Sequence, residues 1–245
     1  MKNVFKQVEE NIDRLADADV NWSQSATSEQ LQSAREGKLA LPFSPSSTIP
    51  TEWLGELRGK KVLCLAGAGG LQAPMLASAG AEVTVLDLSE RMLDRDRAIA
   101  AQESLDIRIE HGNMCDLTRF TDGCFDLVLN PPSLFYVPDV MPVFCEVHRV
   151  LKPGGSFIMI STNPIAYVCD YDDALGCYKA VNRMPYCSTD HADQGDWVEY
   201  GHTMESYIGG QLKCGFVLTE YVESQQEDIT ELYFATRAVK GSCFS

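Results

Sequence analysis

Between residues 60 and 164 the chain alternates short, unbroken apolar runs with longer amphipathic ones, and this alternation constrains the fold more than any other feature. KKVLCLAG, AEVTVLDL, IRIEHGN, FDLVLNP and SFIMISTNP have the length and composition of strands. LQAPMLASAG, closed by Gly80, then SERMLDRDRAIAAQESL and DVMPVFCEVHRVLKPGG, have helical spacing. Strands apolar at nearly every position are buried on both faces, which calls for a parallel sheet with helices on either side. Further on, DWVEYGH reads as a strand and MESYIGGQLKCG as a helix capped by Thr203. FVLTEYV and ELYFATRAV, joined by the short link QQEDIT, read as an antiparallel pair. The expected fold is α/β: a doubly wound, mostly parallel seven-stranded sheet with an antiparallel strand pair at one edge and an N-terminal helical cover.

Two segments break the rhythm. Residues 1–48 begin with a helical stretch that sets Val4, Phe5, Val8, Ile12 and Leu15 near one face. Thr27 and Gln30 have capping-box spacing ahead of a short helix that Gly37 can end, and LPFSPSSTIP, with three prolines, is an irregular connector. Residues 163–195, rich in Tyr, Asp and Cys, read as an insertion over the sheet. The domain reading is therefore a helical segment or lid over 1–48 and an α/β domain over 49–245 carrying that insertion.

Composition narrows the function classes. With 20 Lys+Arg against 35 Asp+Glu the net charge is -15, a field that repels phosphate backbones and anionic lipid. Neither nucleic acid nor membrane is expected as a partner. Nine cysteines, an odd number with no CxxC pair, read as free thiols in a reducing compartment, and the four histidines show no metal-ligand spacing, so no metal site is expected. The N-terminus lacks the continuous apolar run of a signal peptide or anchor, which makes the expected location cytoplasmic. Oligomeric state is not legible.

The turn after the first strand, Ala66-Gly67-Ala68-Gly69-Gly70, lets a ligand approach the backbone and a helix N-terminus. Asp87 ends the second strand twenty residues after Gly67, where a carboxylate can accept both hydroxyls of an adenosine ribose. Its bland reading is an acid favoured at a helix start, although Ser89 already supplies the cap. Gln72 stands where a nicotinamide-type GxGxxG beginning at Gly67 needs its third glycine.

From about Lys61 to Ile160 the chain resembles the S-adenosylmethionine-dependent methyltransferases with the Rossmann-like fold, small-molecule type. VLCLAGAGG, VTVLDLSERML, IEHGNMCDL, FDLVLNPPS and VHRVLKPGGSFIMI are similar to the family's five motifs in order and spacing. The tail GHTMESYIGGQLKCGFVLTEYVES extends the likeness to roughly residues 50–240. The resemblance implies S-adenosylmethionine as cofactor, with its methionine part along Ala66, Gly67 and Ala68 and its ribose on Asp87. Leu88 and Met92 would face the adenine, Asn113 and Met114 would hold its edge with Cys115 beside them, and Asn130 would stand beside the transferring methyl group. Cys64 replaces the family's usual acidic residue, and Ala66 and Ala68 replace two of its glycines.

Methyl transfer from a sulfonium is an in-line displacement with a good leaving group, so alignment and desolvation suffice unless the acceptor arrives protonated. The expected acceptor is a small molecule methylated on N, O or S. Its binding residues are expected to be Trp22, Phe135, Tyr136, Asn163, Tyr167, Tyr171 and His202, near the carboxyl ends of the strands. His202 and Tyr136 are the candidate bases, each with a structural reading beside it. Two alternatives accompany this reading. One is a cofactor-binding regulatory or scaffolding protein without turnover; the other is methylation of a planar amine, adenine or glutamine type, through Asn130-Pro131-Pro132, although Ser133 replaces the aromatic residue that would stack.

Overall fold

The computed structural model describes residues 4–17, 24–67, 69–190, 197–224 and 232–241. Seven strands form the main sheet: β1 (Lys61–Leu65), β2 (Glu82–Asp87), β3 (Ile107–His111), β4 (Phe125–Asn130), β5 (Leu151–Thr162), β6 (Phe216–Glu223) and β7 (Tyr233–Lys240). Their order across the sheet is β6-β7-β5-β4-β1-β2-β3. The pairs β1/β2, β2/β3, β1/β4 and β4/β5 are parallel, while β7 runs antiparallel to both β5 and β6. The expected sheet is therefore found, with β7 inserted between β5 and the edge strand β6.

The helices that matter here are α1 (Val4–Asp17), α2 (Ser28–Arg35), α3 (Gln72–Ser78), α4 (Glu90–Glu103) and α5 (Met141–Val150). Alternate residues of β1 serve the two faces. Val62 and Cys64 join a core with Leu31, Trp53, Leu76 and Leu93, whereas Leu63 and Leu65 join one with Phe144, Val147 and Phe157. Each core side chain contributes roughly 1.5–3 kcal/mol of burial. The capping box at Thr27 and Gln30 forms as read, and Gly37 follows α2 at φ +80°.

Local departures from the sequence reading have identifiable causes. The DWVEYGH segment adds no strand to the main sheet. Only Tyr200–Gly201 pairs, antiparallel with Tyr186–Cys187, in a separate two-stranded piece. Gly201 makes this possible, because a Cβ there would lie 2.7 Å from the Tyr167 ring. The helix after Thr203 is a π-helical turn, Glu205–Gly209, leading into Gly210–Lys213; Thr203 caps it by accepting from the Ser206 amide at 3.1 Å. Gly210 sits against Phe144, with room for a Cβ only at 3.0 Å, and the wide turn accommodates that approach. Finally, α5 stops at Val150 and the LKPGG stretch opens β5, where Gly155 closely approaches the Lys152 and Asp126 carbonyls.

Candidate cofactor and acceptor site

The strand order reverses direction between β1 and β4, and at such a switch point the carboxyl ends of the strands leave a crevice. A cavity of about 70 Å³ lies there. It collects Ala66, Asp87, Leu88, Met92, Asn113, Met114 and Tyr136 from the expected site. Phe5, Val8 and Ile12 of α1 close it from above, and Pro132, Ser133 and Val137 wall it beyond β4.

Each of these residues is placed by local chemistry. Ala66 adopts φ +54°, which turns the chain sharply off β1. At Gly67 a Cβ would fall 2.5 Å from the Val85 side chain, so the turn presses on the sheet where only glycine fits. The turn is also strapped from outside: Ser25 Oγ donates to the Gly69 carbonyl at 3.0 Å and the Ala26 amide to the Gly70 carbonyl at 2.8 Å. Asp87 is buried at the end of β2, and one of its oxygens accepts from the Ser89 amide at 2.9 Å. Ser89 in turn caps α4 by accepting from the Met92 amide. Asn113 Oδ1 accepts from the Cys115 amide at 2.9 Å, which fixes the turn after β3. Burial pushes the Cys115 thiol up to about 11, so it stays protonated at neutral pH.

Gly67, Cys115, Asn130, Phe135, Asn163, Tyr167, Tyr171 and His202 do not line this cavity. Asn130 donates to the Leu65 carbonyl and to Ser133 Oγ, both at 2.9 Å, and the Ser133 hydroxyl donates to the Pro131 carbonyl at 3.0 Å. Amide and proline carbonyl thus shape their own loop. Asn163 Oδ1 accepts from the Ile165 amide, and Phe135 packs on Tyr136 with ring centres 4.5 Å apart. Tyr167 donates to Glu199 at 2.6 Å, while Tyr171 is 54% exposed on the hairpin formed by Cys169–Asp172 and Cys177–Ala180. Trp22 and Ala68 lie outside the described residues.

The two candidate bases are placed for other work. His202 Nε2 lies 2.9 Å from the Val137 carbonyl and 3.2 Å from that of Leu134, so it carries a proton and braces the turn that presents Tyr136. Burial lowers its pKa and favours the neutral ring. Burial, followed by the charges of Glu199 and Asp87, pushes the Tyr136 phenol well above its usual range. Tyr136 therefore meets the cavity as a neutral hydroxyl, able to donate a hydrogen bond but poorly suited to accept a proton.

The N-terminal cover is narrower than residues 1–48. Leu31, Leu41, Phe43 and Ile49 belong to the main core, and within that segment only α1 contributes to the described lining. Val8, Ile12 and Ala16 of α1 cluster with Met92 and Val198, and the Val198 amide donates to Asn11 Oδ1 at 3.2 Å. Two of its surface contacts, the ion pair Arg91–Asp17 and the approach of His111 to Glu9, each span 3.3 Å and are partly exposed, so they add little. Three apolar side chains bury about 4–7 kcal/mol, much of which offsets the entropy of ordering the helix. Phe5, Val8 and Ile12 narrow the space beneath α1, so admission of a nucleoside-sized ligand is expected to move this helix.

A family model described as "Methyltransferase domain" matches residues 63–159. An uncharacterized methyltransferase of Bacillus subtilis (strain 168), YbaJ, is 34% identical over 242 residues, covering 93% of this chain and 95% of that protein. The chain belongs to the S-adenosylmethionine-dependent methyltransferase family. The methyltransferase is also 31% identical over 132 residues to a ubiquinone biosynthesis O-methyltransferase of Azotobacter vinelandii, but the match spans 52% of this chain and 57% of that protein. The crystal structure of an S-adenosylmethionine-dependent methyltransferase from Mesorhizobium loti superposes with a TM-score of 0.65 at 25% identity, covering 77% of this chain and 94% of that one.

The cavity fits the family's cofactor by the chemistry of its walls. A buried carboxylate at a strand end suits ribose hydroxyls, and an apolar floor of Leu88 and Met92 suits a purine. Sequence reasoning missed Phe5, Val8 and Ile12 as lining residues, although their helical spacing had marked an apolar face. It also missed Asp96, which falls on the same face of α4 as Met92 and Leu93 and is buried with them.

Proposed function

We propose that this methyltransferase moves the methyl group of S-adenosylmethionine to a nitrogen, oxygen or sulfur of a small molecule in the cytoplasm. The observation that carries this reading is the cavity at the β1/β4 switch point, which Asp87, Asn113, Met114, Tyr136 and Pro132 line together beneath α1. Such a space suits a small, largely apolar acceptor and excludes a folded macromolecule. Asp87 would hold the ribose, and Leu88, Met92, Asn113 and Met114 would frame the adenine. Tyr136 and Ser133 would orient the acceptor, and α1 would exclude water while the sulfonium is attacked in line. With no ready base at the lining, the acceptor is best supplied as a neutral amine, an enolate or phenolate, or a thiolate. The name of the ubiquinone-pathway relative is compatible with a small acceptor.

The internal bonds of Asn130, Ser133 and the Pro131 carbonyl favour loop shaping over capture of a planar amine. The test is transfer from S-[methyl-³H]adenosylmethionine into fractionated extracts. Label is expected in the fraction below about 1 kDa, the size range of the ligands that small-molecule pockets accommodate. Label only in protein or nucleic acid contradicts the small acceptor, and cofactor binding without transfer to any fraction favours the regulatory alternative.

A further inference from the structure

Asp96 lies on the inner face of α4, 1% exposed, directly behind the glycine turn. A buried carboxylate normally has a cation or several donors around it. Here one interaction is a hydrogen bond from the Gly70 backbone, and Oδ1 has no hydrogen-bond partner. The charge of Arg97 offsets its burial only in part. From β2 comes the like charge of Asp87, from β1 the fully buried Cys64 thiol. Arg97, next on its own helix, turns outward to Glu90 and Asp94. Ser25 and Ala26, on the far side of the turn, bond only its carbonyls.

We propose that Asp96 is the charge partner of the cofactor's cationic methionine end, a positioning residue acting through the glycine turn, whose proton is released as the cofactor binds. The inference rests on the cofactor reading of the cavity. S-adenosylmethionine carries a sulfonium and an ammonium against one carboxylate, a net positive charge that this buried site lacks and that S-adenosylhomocysteine does not bring. Without it, burial and the Asp87 charge hold the Asp96 carboxyl up to about 8, so the group is mostly protonated at pH 7. A cation arriving nearby favours the carboxylate and lowers that value, so the proton leaves to solvent and the charge count balances. Affinity then rises with pH below about 8, by up to tenfold per unit, and levels off above it. In the free protein the sign is opposite. A raised carboxyl stabilises the fold fully below the unfolded value near 4, and this contribution is lost as pH rises through about 8.

The experiment is calorimetric titration of the full chain with S-adenosylmethionine and with S-adenosylhomocysteine at pH 6, 7 and 8, in buffers of different ionisation enthalpy. Wild type is expected to release up to one proton at pH 7, more with the sulfonium form. Asp96→Asn is expected to release less, to lose the pH slope and to weaken S-adenosylmethionine several-fold more than S-adenosylhomocysteine. Carboxyl ¹³C NMR of wild type gives an independent readout, with Asp96 titrating lower when the cofactor is bound. Equal weakening of both ligands with unchanged proton release overturns the proposal and leaves Asp96 as a structural brace. Failure of wild type to bind either ligand overturns the cofactor reading itself, and the proposal with it.

Discussion

Calorimetry on Gly67→Val is expected to show no S-adenosylhomocysteine binding at concentrations that saturate the wild type, a loss of at least about 100-fold, or 2.7 kcal/mol. The side chain has nowhere to go. Its Cβ alone would lie 2.5 Å from a methyl of Val85, which is fully buried in β2 and cannot retreat. The turn must instead rise away from the sheet into the space the methionine chain needs, and overpacking of this kind costs about 1–3 kcal/mol of stability. Circular dichroism should still report a folded α/β protein, since the clash is confined to one turn. Gly67→Ala should fall between the two, because it adds the Cβ without the branch. Retained binding in Gly67→Val would make the turn a structural feature with no ligand.

The second large effect is expected at Asp87. Asp87→Ala should weaken S-adenosylhomocysteine by about 1.5–3 kcal/mol, the range for hydrogen bonds to a charged group. Part of its acceptor capacity already serves the fold through the Ser89 amide, so a melting shift worth about 1 kcal/mol should accompany the change. Asp87→Asn separates the two roles. An amide oxygen can still accept from Ser89, which preserves stability, but it lacks the charge and second acceptor that grip a diol. An unchanged dissociation constant in both variants removes Asp87 from the site.

The sheet was legible because its order comes from a pattern that few other folds satisfy. Apolar runs such as VLCL and LVL are buried best between two helical layers, and the structure places their side chains in the cores on both faces of the sheet. That Ala66, Asp87 and Asn113 would meet at one cavity was legible for the same reason, since they sit at the strand ends that the alternation defines. Residues off that lattice were not. Tyr167 and His202 read equally well as acceptor contacts or braces, and only the bonds to Glu199 and to the Leu134 and Val137 carbonyls separate the readings. DWVEYGH has the alternation of a strand, but the main sheet is completed by β7 pairing with β5 and β6. Asp96 was hidden inside DRDR, which looks like a solvated charge run until the position is counted from Met92.

Hydrogen exchange on the full chain, with and without S-adenosylhomocysteine, tests most directly whether the cavity beneath α1 is the cofactor site. Added protection is expected around 66–67, 87–92 and 112–115, and also over α1, whose docking must yield and then re-form as the ligand is admitted. Part of the effect should reach residues 197–200, because Val198 packs on α1. Protection of the glycine turn and Asp87 without α1 would contradict its role as cover. Protection that appears elsewhere and leaves Asp87 to Met92 unchanged would contradict the site itself.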